Sequence, residues 1–185
     1  MSEIHNPTDE ELVSEVQAGA AEAFGVLVER YEDKIKRYAR RFLLGYEDAE
    51  DLVQEVFIKA YINIQSFDAE RKFSSWLYRI AHNEFINAIK KKGREPLPFF
   101  DPDNLFPHPT APESADTEIN RQEMTELLES CLDKLNVKYR EVLVLYYFED
   151  MEYRAIADIL KIPVATVGVR LKRGRQIMRS LIEQM

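Results

Sequence analysis

Residues 48–61, Asp-Ala-Glu-Asp-Leu-Val-Gln-Glu-Val-Phe-Ile-Lys-Ala-Tyr, and residues 73–83, Phe-Ser-Ser-Trp-Leu-Tyr-Arg-Ile-Ala-His-Asn, decide how this chain folds. In the first stretch Leu52, Val53, Val56, Phe57, Ala60, Tyr61 and Ile64 recur at steps of three and four. That spacing predicts one apolar helix face. Asp48, Asp51, Gln54, Glu55 and Ile58 fall on the other side. In the second stretch Phe73, Trp76, Leu77, Ile80, Ala81, Phe85, Ala88 and Ile89 keep the same period. A second helix is expected over 73–89, with most of the stripe, Trp76 included, in a core.

The two helices differ in charge. Segment 47–55 carries Glu47, Asp48, Glu50, Asp51 and Glu55 and no Lys or Arg. Carboxylates favour the positive end of a helix dipole, which accounts for Glu47 and Asp48. Asp51 and Glu55 lie further along, on a face that suits a basic protein surface. Segment 69–94 has seven basic and two acidic residues, a net charge of +5. Trp76, Tyr78, His82 and Asn83 lie among them. Cations neutralise phosphates, aromatics stack on bases and an Asn pairs with a base edge, which is what single-stranded DNA requires.

In combination, Glu-Asp-Leu-Val-Gln-Glu-Val-Phe at 50–57 and the stretch 73–83 resemble region two of the bacterial sigma-70 family, in its small extracytoplasmic-function group. The resemblance implies that Asp48, Asp51, Gln54, Glu55 and Ile58 dock on the clamp coiled coil of core RNA polymerase. It implies that Phe67, Lys72, Ser74, Arg79, His82, Asn83, Lys90 and Arg94 bind the minus-ten element, Asn83 contacting a flipped base of the non-template strand. It also implies a flap contact on the polymerase, promoter DNA as ligand and an anti-sigma factor as regulator.

A second unit follows. Met124, Leu127, Leu128, Cys131 and Leu135 mark one helix and 139–148 a second. Residues 153–160, a turn at Lys161 and Ile162, and 163–182 read as helix, turn, helix. Val164, Val167, Leu171 and Ile177 are expected to face inward, and Pro163 suits a first turn. Segment 161–179 has six basic residues and no acid. That fits a major-groove reader, with a bundle carrying a solvated basic edge as the alternative. The segment resembles region four of the same family, which implies that Thr166, Val169, Arg170, Lys172, Arg173 and Arg175 bind the minus-thirty-five element. It departs from the family at Gly168 and Val169, where many members carry a basic or polar pair, and at Glu152 and Val137, where Ser or Thr and Pro are common. Gly168 offers a base no side chain, and Val169 only an apolar contact to a thymine methyl.

The first unit also includes helices over 9–17 and 22–43. Thr8 and Glu11 have capping-box spacing, and Phe24, Leu27, Val28, Tyr31, Ile35, Tyr38 and Phe42 form a stripe. Between the units, six of the eight prolines and six carboxylates fall in 95–120, without a Lys or Arg. This segment therefore holds most of the net charge of −8, leaving the basic clusters local. Its Phe99, Phe100, Leu105 and Phe106 could dock on a domain or thread a partner's channel.

The expected fold is all-α: two small helical domains, 1–94 and 120–185, joined by a proline-rich acidic linker at 95–119. The apolar runs are too short to cross a bilayer, and residues 1–9 are polar and acidic, so neither membrane insertion nor a signal peptide is expected. The single Cys131 suits packing in a cytoplasmic protein. No Cys/His metal spacing exists, and no cofactor, metal or catalytic residue is expected. Two rival readings stay open: a stand-alone helix-turn-helix regulator of duplex DNA, and a nuclease using Asp48, Asp51 and Glu55 as metal ligands.

Overall fold

The computed structural model describes residues 6–44, 46–91, 93 and 121–183, with backbone alone at 121–124, 127 and 182. The expectations for the 95–119 linker and its aromatics, for Arg94, and for the side chains of Met124 and Leu127 lie outside the described residues. The first domain contains α1 (Asp9–Gln17), α2 (Ala23–Leu43), α3 (Ala49–Asn63) with a 3-10 turn at Ile64–Ser66, and α4 (Phe73–Lys91). The second contains α5 (Arg121–Cys131), a 3-10 turn at Leu132–Lys134, α6 (Val137–Tyr147), α7 (Tyr153–Leu160) and α8 (Val164–Ile182). No strand occurs among the described residues.

Local chemistry fixes the ends of the first-domain helices. The Thr8 hydroxyl accepts from the Glu11 amide at 3.2 Å, and the Glu11 carboxylate accepts from the Thr8 amide at 2.7 Å. Two orphan donors at the start of α1 are thereby satisfied. Gln17 donates from Nε2 to the carbonyls of Ile64 and Phe67 at 2.8 and 2.9 Å, pinning α1 to the turn after α3. Glu10 accepts from the Phe73 amide at 3.0 Å and so fixes the start of α4. The core between these helices is aromatic: Tyr38 packs on Phe42, Tyr78 and Phe85. Burial pushes the Tyr38 hydroxyl well above the usual tyrosine range.

The second domain is aliphatic around Leu128, Leu132, Leu135, Leu143, Leu145 and Ile156, with Cys131 fully buried among them. Asn136 caps α6, accepting from the Lys138 amide at 3.1 Å. Lys161, at φ +56°, takes the left-handed turn that ends α7. Gly174 lets α8 close on α6: a β-carbon there would lie 2.8 Å from Leu143 Cδ1. Two inward assignments change. Tyr61 meets Phe24 edge-on but remains 46% exposed, and Val164 is 45% exposed because it opens α8, just after Pro163 at the N-cap.

The domains touch. Helix α4 packs along α7, and α2 packs along α6. The Arg41 guanidinium lies 4.0 Å over the Phe148 ring and pairs with Glu129 at 3.0 Å. The Tyr78 hydroxyl donates to Glu149.

Candidate nucleic-acid interface

Three faces carry the expected site residues. On α3 the core side takes Val53, Val56, Phe57 and Ala60, which turns Asp51, Gln54 and Glu55 outward together. Asp48 stands exposed at the N-cap position. Ile58 is 52% exposed beside them. Ile62, which the sequence pattern did not single out, is more exposed still. The face is thus acidic at its N-terminal end and apolar at Ile58, Tyr61 and Ile62.

On α4 the expected residues divide. Lys72, Asn83 and Lys90 are exposed, and Ser74 and Arg79 are half-buried. Beside Asn83 lies a pocket of about 260 Å³ lined by Lys59, Asn63, Ser66, Trp76, Ile80 and Glu84. Trp76 is held as its wall by Phe67 and Phe73, at ring separations of 5.0 and 5.8 Å. Lys59 is held by Glu84 at 2.6 Å, with Glu55 at 3.7 Å, and this hydrogen bonding keeps its proton above the usual lysine range. Ser66 donates to the Asn63 carbonyl and Asn63 to that of Lys59, so the rim is ordered.

Two expected minus-ten contacts are repositioned. Phe67 is buried beneath Trp76 and Phe73, where it supports the pocket wall instead of offering a stacking face. His82 is 7% exposed. Its Nδ1 lies 3.1 Å from the Tyr38 hydroxyl, and its Nε2 lies 3.6 Å from Glu141 of the second domain. Burial, reinforced by the nearby Arg170 charge, lowers its pKa to about 4, so the ring is neutral at pH 7. Both neighbours are best satisfied when Nδ1 accepts from Tyr38 and Nε2–H faces the carboxylate.

On α8 the division is sharper. Lys172 and Arg173 are exposed, and Val169 and Arg175 are half-buried, with Arg175 donating toward the Tyr147 hydroxyl at 3.5 Å. Thr166 and Arg170 are buried. Arg170 pairs with Glu141 at 2.6 Å inside the second domain. In this arrangement it holds α8 to α6 and cannot reach a phosphate. Sequence reasoning missed Glu141, Lys59 and Glu84. The Glu141–Arg170 pair spans two helices, and no local spacing signals it.

Asp48, Asp51 and Glu55 do not make a metal site: no group of three or more His, Cys, Asp or Glu able to hold an ion occurs among the described residues. No helix among them is long and apolar enough to cross a membrane.

The Sigma-70 region 2 family model matches residues 27–95, and the Sigma-70, region 4 model matches residues 125–178. The chain is 38% identical over 184 residues to the ECF RNA polymerase sigma factor SigW of Bacillus subtilis, covering 94% of this chain and 96% of that protein. It is 32% identical to the ECF RNA polymerase sigma-E factor of Escherichia coli K12, covering 96% of each. Among solved structures, CnrH in complex with the cytosolic domain of CnrY matches with a TM-score of 0.69 and 26% identity, covering 95% of this chain and 97% of that one.

Proposed function

We propose a division of labour for this chain, which belongs to the sigma-70 family of RNA polymerase sigma factors, in its extracytoplasmic-function group. It is an alternative sigma factor that directs transcription initiation, binding core RNA polymerase and promoter DNA. The acidic and apolar face of α3 docks on basic coiled-coil helices of the polymerase clamp: Asp48, Asp51, Gln54 and Glu55 supply charge, and Ile58, Tyr61 and Ile62 supply burial. The pocket beside Asn83 receives an unstacked base of the minus-ten element, with Trp76 as its wall and Lys72, Arg79 and Lys90 on the phosphates. Lys172, Arg173 and Arg175 contact the backbone at the minus-thirty-five element, and Val169 makes what apolar base contact there is. The chain carries out no bond-making chemistry, works in the cytoplasm and is held in check by an anti-sigma partner. Residues 1–94 and 120–185 act as the two working units and 95–119 as the tether.

The observation that carries this reading is the pocket beside Asn83, open on the basic helix that backs the acidic one. The test is transcription in vitro with core polymerase, mapping the start sites. Asn83→Ala is expected to relax base preference at one minus-ten position. Asp51→Lys with Glu55→Lys is expected to abolish competition for core while leaving the fold intact. If the folded double variant competes like the wild type, the polymerase face lies elsewhere.

A further inference from the structure

We infer that α1 sets the shape of the Asn83 pocket from outside it, with Gln17 and Glu10 as positioning residues for base choice. The inference rests on the base-pocket reading above and assigns the device that holds that pocket in place. No residue of α1 lines the pocket. Part of its wall comes from the segment between α3 and α4: Ser66 stands on the rim, and Phe67 supports Trp76 at 5.0 Å.

That segment holds itself weakly. Ser66 donates back to the Asn63 carbonyl, and the Asp68 side chain accepts from the Glu70 amide. Both bonds are local and exposed. The ties that fix the segment in space come from α1. Gln17 Nε2 has two hydrogens and serves both the Ile64 and Phe67 carbonyls, at 2.8 and 2.9 Å. At the far end Glu10 accepts from the Phe73 amide at 3.0 Å. It thereby does the work of an N-cap side chain and places negative charge at the positive end of α4. Two helical turns separate Glu10 from Gln17, so both project from one face of α1, ~10.5 Å apart along its axis.

Helix α1 thus braces the segment at Ile64–Phe67 and again at Phe73. The brace is itself anchored on α2: Asp9 pairs with Arg30 at 2.8 Å and accepts from the Tyr31 hydroxyl. All of these ties join residues of the first domain, and none crosses the seam where α4 meets α7 and α2 meets α6. The bonds from Gln17 are part-buried, so an apolar side chain at position 17 would leave two carbonyls without their donor. A misplacement of about 1 Å can cost an oriented site up to ~100-fold. The docking residues Asp51, Gln54, Glu55 and Ile58 take no part in the bracing, so its loss is felt in base choice and not in core binding.

Transcription in vitro by the full-length chain with core polymerase tests this, using a promoter found by start-site mapping and randomised over its minus-ten element. In folded Gln17→Leu, preference at the position that Asn83→Ala relaxes is expected to fall roughly ten-fold, while competition for core stays at the wild-type level. Gln17→Lys keeps a donor at the site and should recover part of the preference. Glu10→Ala should weaken preference at the same position. Glu10→Gln, which still accepts from the Phe73 amide, should restore it, and this pair carries the test if Gln17→Leu does not fold. Wild-type preference at that position in the folded variants overturns the inference. So does a uniform loss at every minus-ten position together with weaker core competition, which would make α1 a stability element alone. If Asn83→Ala itself relaxes no position, the pocket reading falls and the bracing role with it. If it relaxes one and the α1 variants do not, only the bracing role falls.

Discussion

The outer faces of α3 and α8 present the same kind of sequence signal and resolve in opposite ways. On α3 the residues expected to face outward do so: Asp51, Gln54, Glu55 and Ile58 are all exposed. On α8 two of the expected contacts, Thr166 and Arg170, turn inward. The cause is the company each helix keeps. Helix α3 covers an aromatic core that accepts no charge, so its polar residues have one place to go. Helix α8 packs on α6, which presents a buried carboxylate, Glu141, and draws a guanidinium inward. Periodicity identifies a face. Whether a charge on it points to water or to a partner depends on a residue far along the chain.

The largest expected effect follows from that pair. Arg170→Ala strands Glu141 in a buried site, and losing one member of a buried pair costs about 3–5 kcal/mol. Lys172→Ala, two residues on, should alter stability by less than ~0.5 kcal/mol and act only on duplex affinity. Urea unfolding of the two variants checks this. Equal midpoints would mean that Arg170 is a surface residue like its neighbour.

Next in size is a pH effect confined to the seam. His82 titrates near 6.5 when unfolded and at about 4 in the folded protein. Tyr38, Glu141 and Arg170 face its ring from α2, α6 and α8. Glu141 lies close, but Arg170 already engages its charge, so burial prevails. The unfolded chain therefore binds more protons between these values, and stability must rise with pH across the window. It is fully present above about 6.5 and lost as pH falls toward 4, by about 3 kcal/mol at most. Denaturation midpoints from pH 7 to 4.5 should show this slope, and His82→Gln should remove most of it. An unchanged slope in His82→Gln would place the titrating group elsewhere.

The two glycines of α8 sharpen the contrast between its faces. Gly174 faces α6, where a β-carbon would lie 2.8 Å from Leu143 Cδ1 and 3.5 Å from Tyr139. Gly174→Ala must push the helices apart, at a cost of about 1–3 kcal/mol. Thermal unfolding measures it, and a rise in Tm would show that Leu143 moves aside freely.

How much was legible follows from the same residues. The α1 capping box, the aromatic stripe of α2 and the two halves of the helix-turn-helix were readable because each depends on neighbours three or four residues away. Asn83 as a pocket residue was readable from its place on a basic, aromatic helix. Phe67 was not: the resemblance places it among the minus-ten contacts, but α4 folds back and sets Trp76 and Phe73 upon it. His82 was not either, since its burial comes from Glu141 and Arg170, which lie 59 and 88 positions further along the chain. Nor could a pattern confined to one helix reveal that Lys59 is fixed by Glu84.

The smallest effect is expected at Gly168. It stands six residues before Gly174, on a part of α8 where crowding is absent: an added β-carbon would meet Tyr153 Cε2 at 3.6 Å, an ordinary contact. No left-handed backbone is required there, because Gly168 lies within the helix. The residue therefore costs helix stability without a packing reason, and Gly168→Ala should stabilise the second domain by roughly 0.5–1 kcal/mol. The same variant probes how close α8 comes to DNA. If the duplex backbone approaches Gly168 directly, the methyl group will weaken binding to the minus-thirty-five element even as it raises Tm. If affinity is unchanged while stability rises, reading by α8 rests on the exposed Lys172 and Arg173, and the glycine is simply a tolerated weak point of the helix.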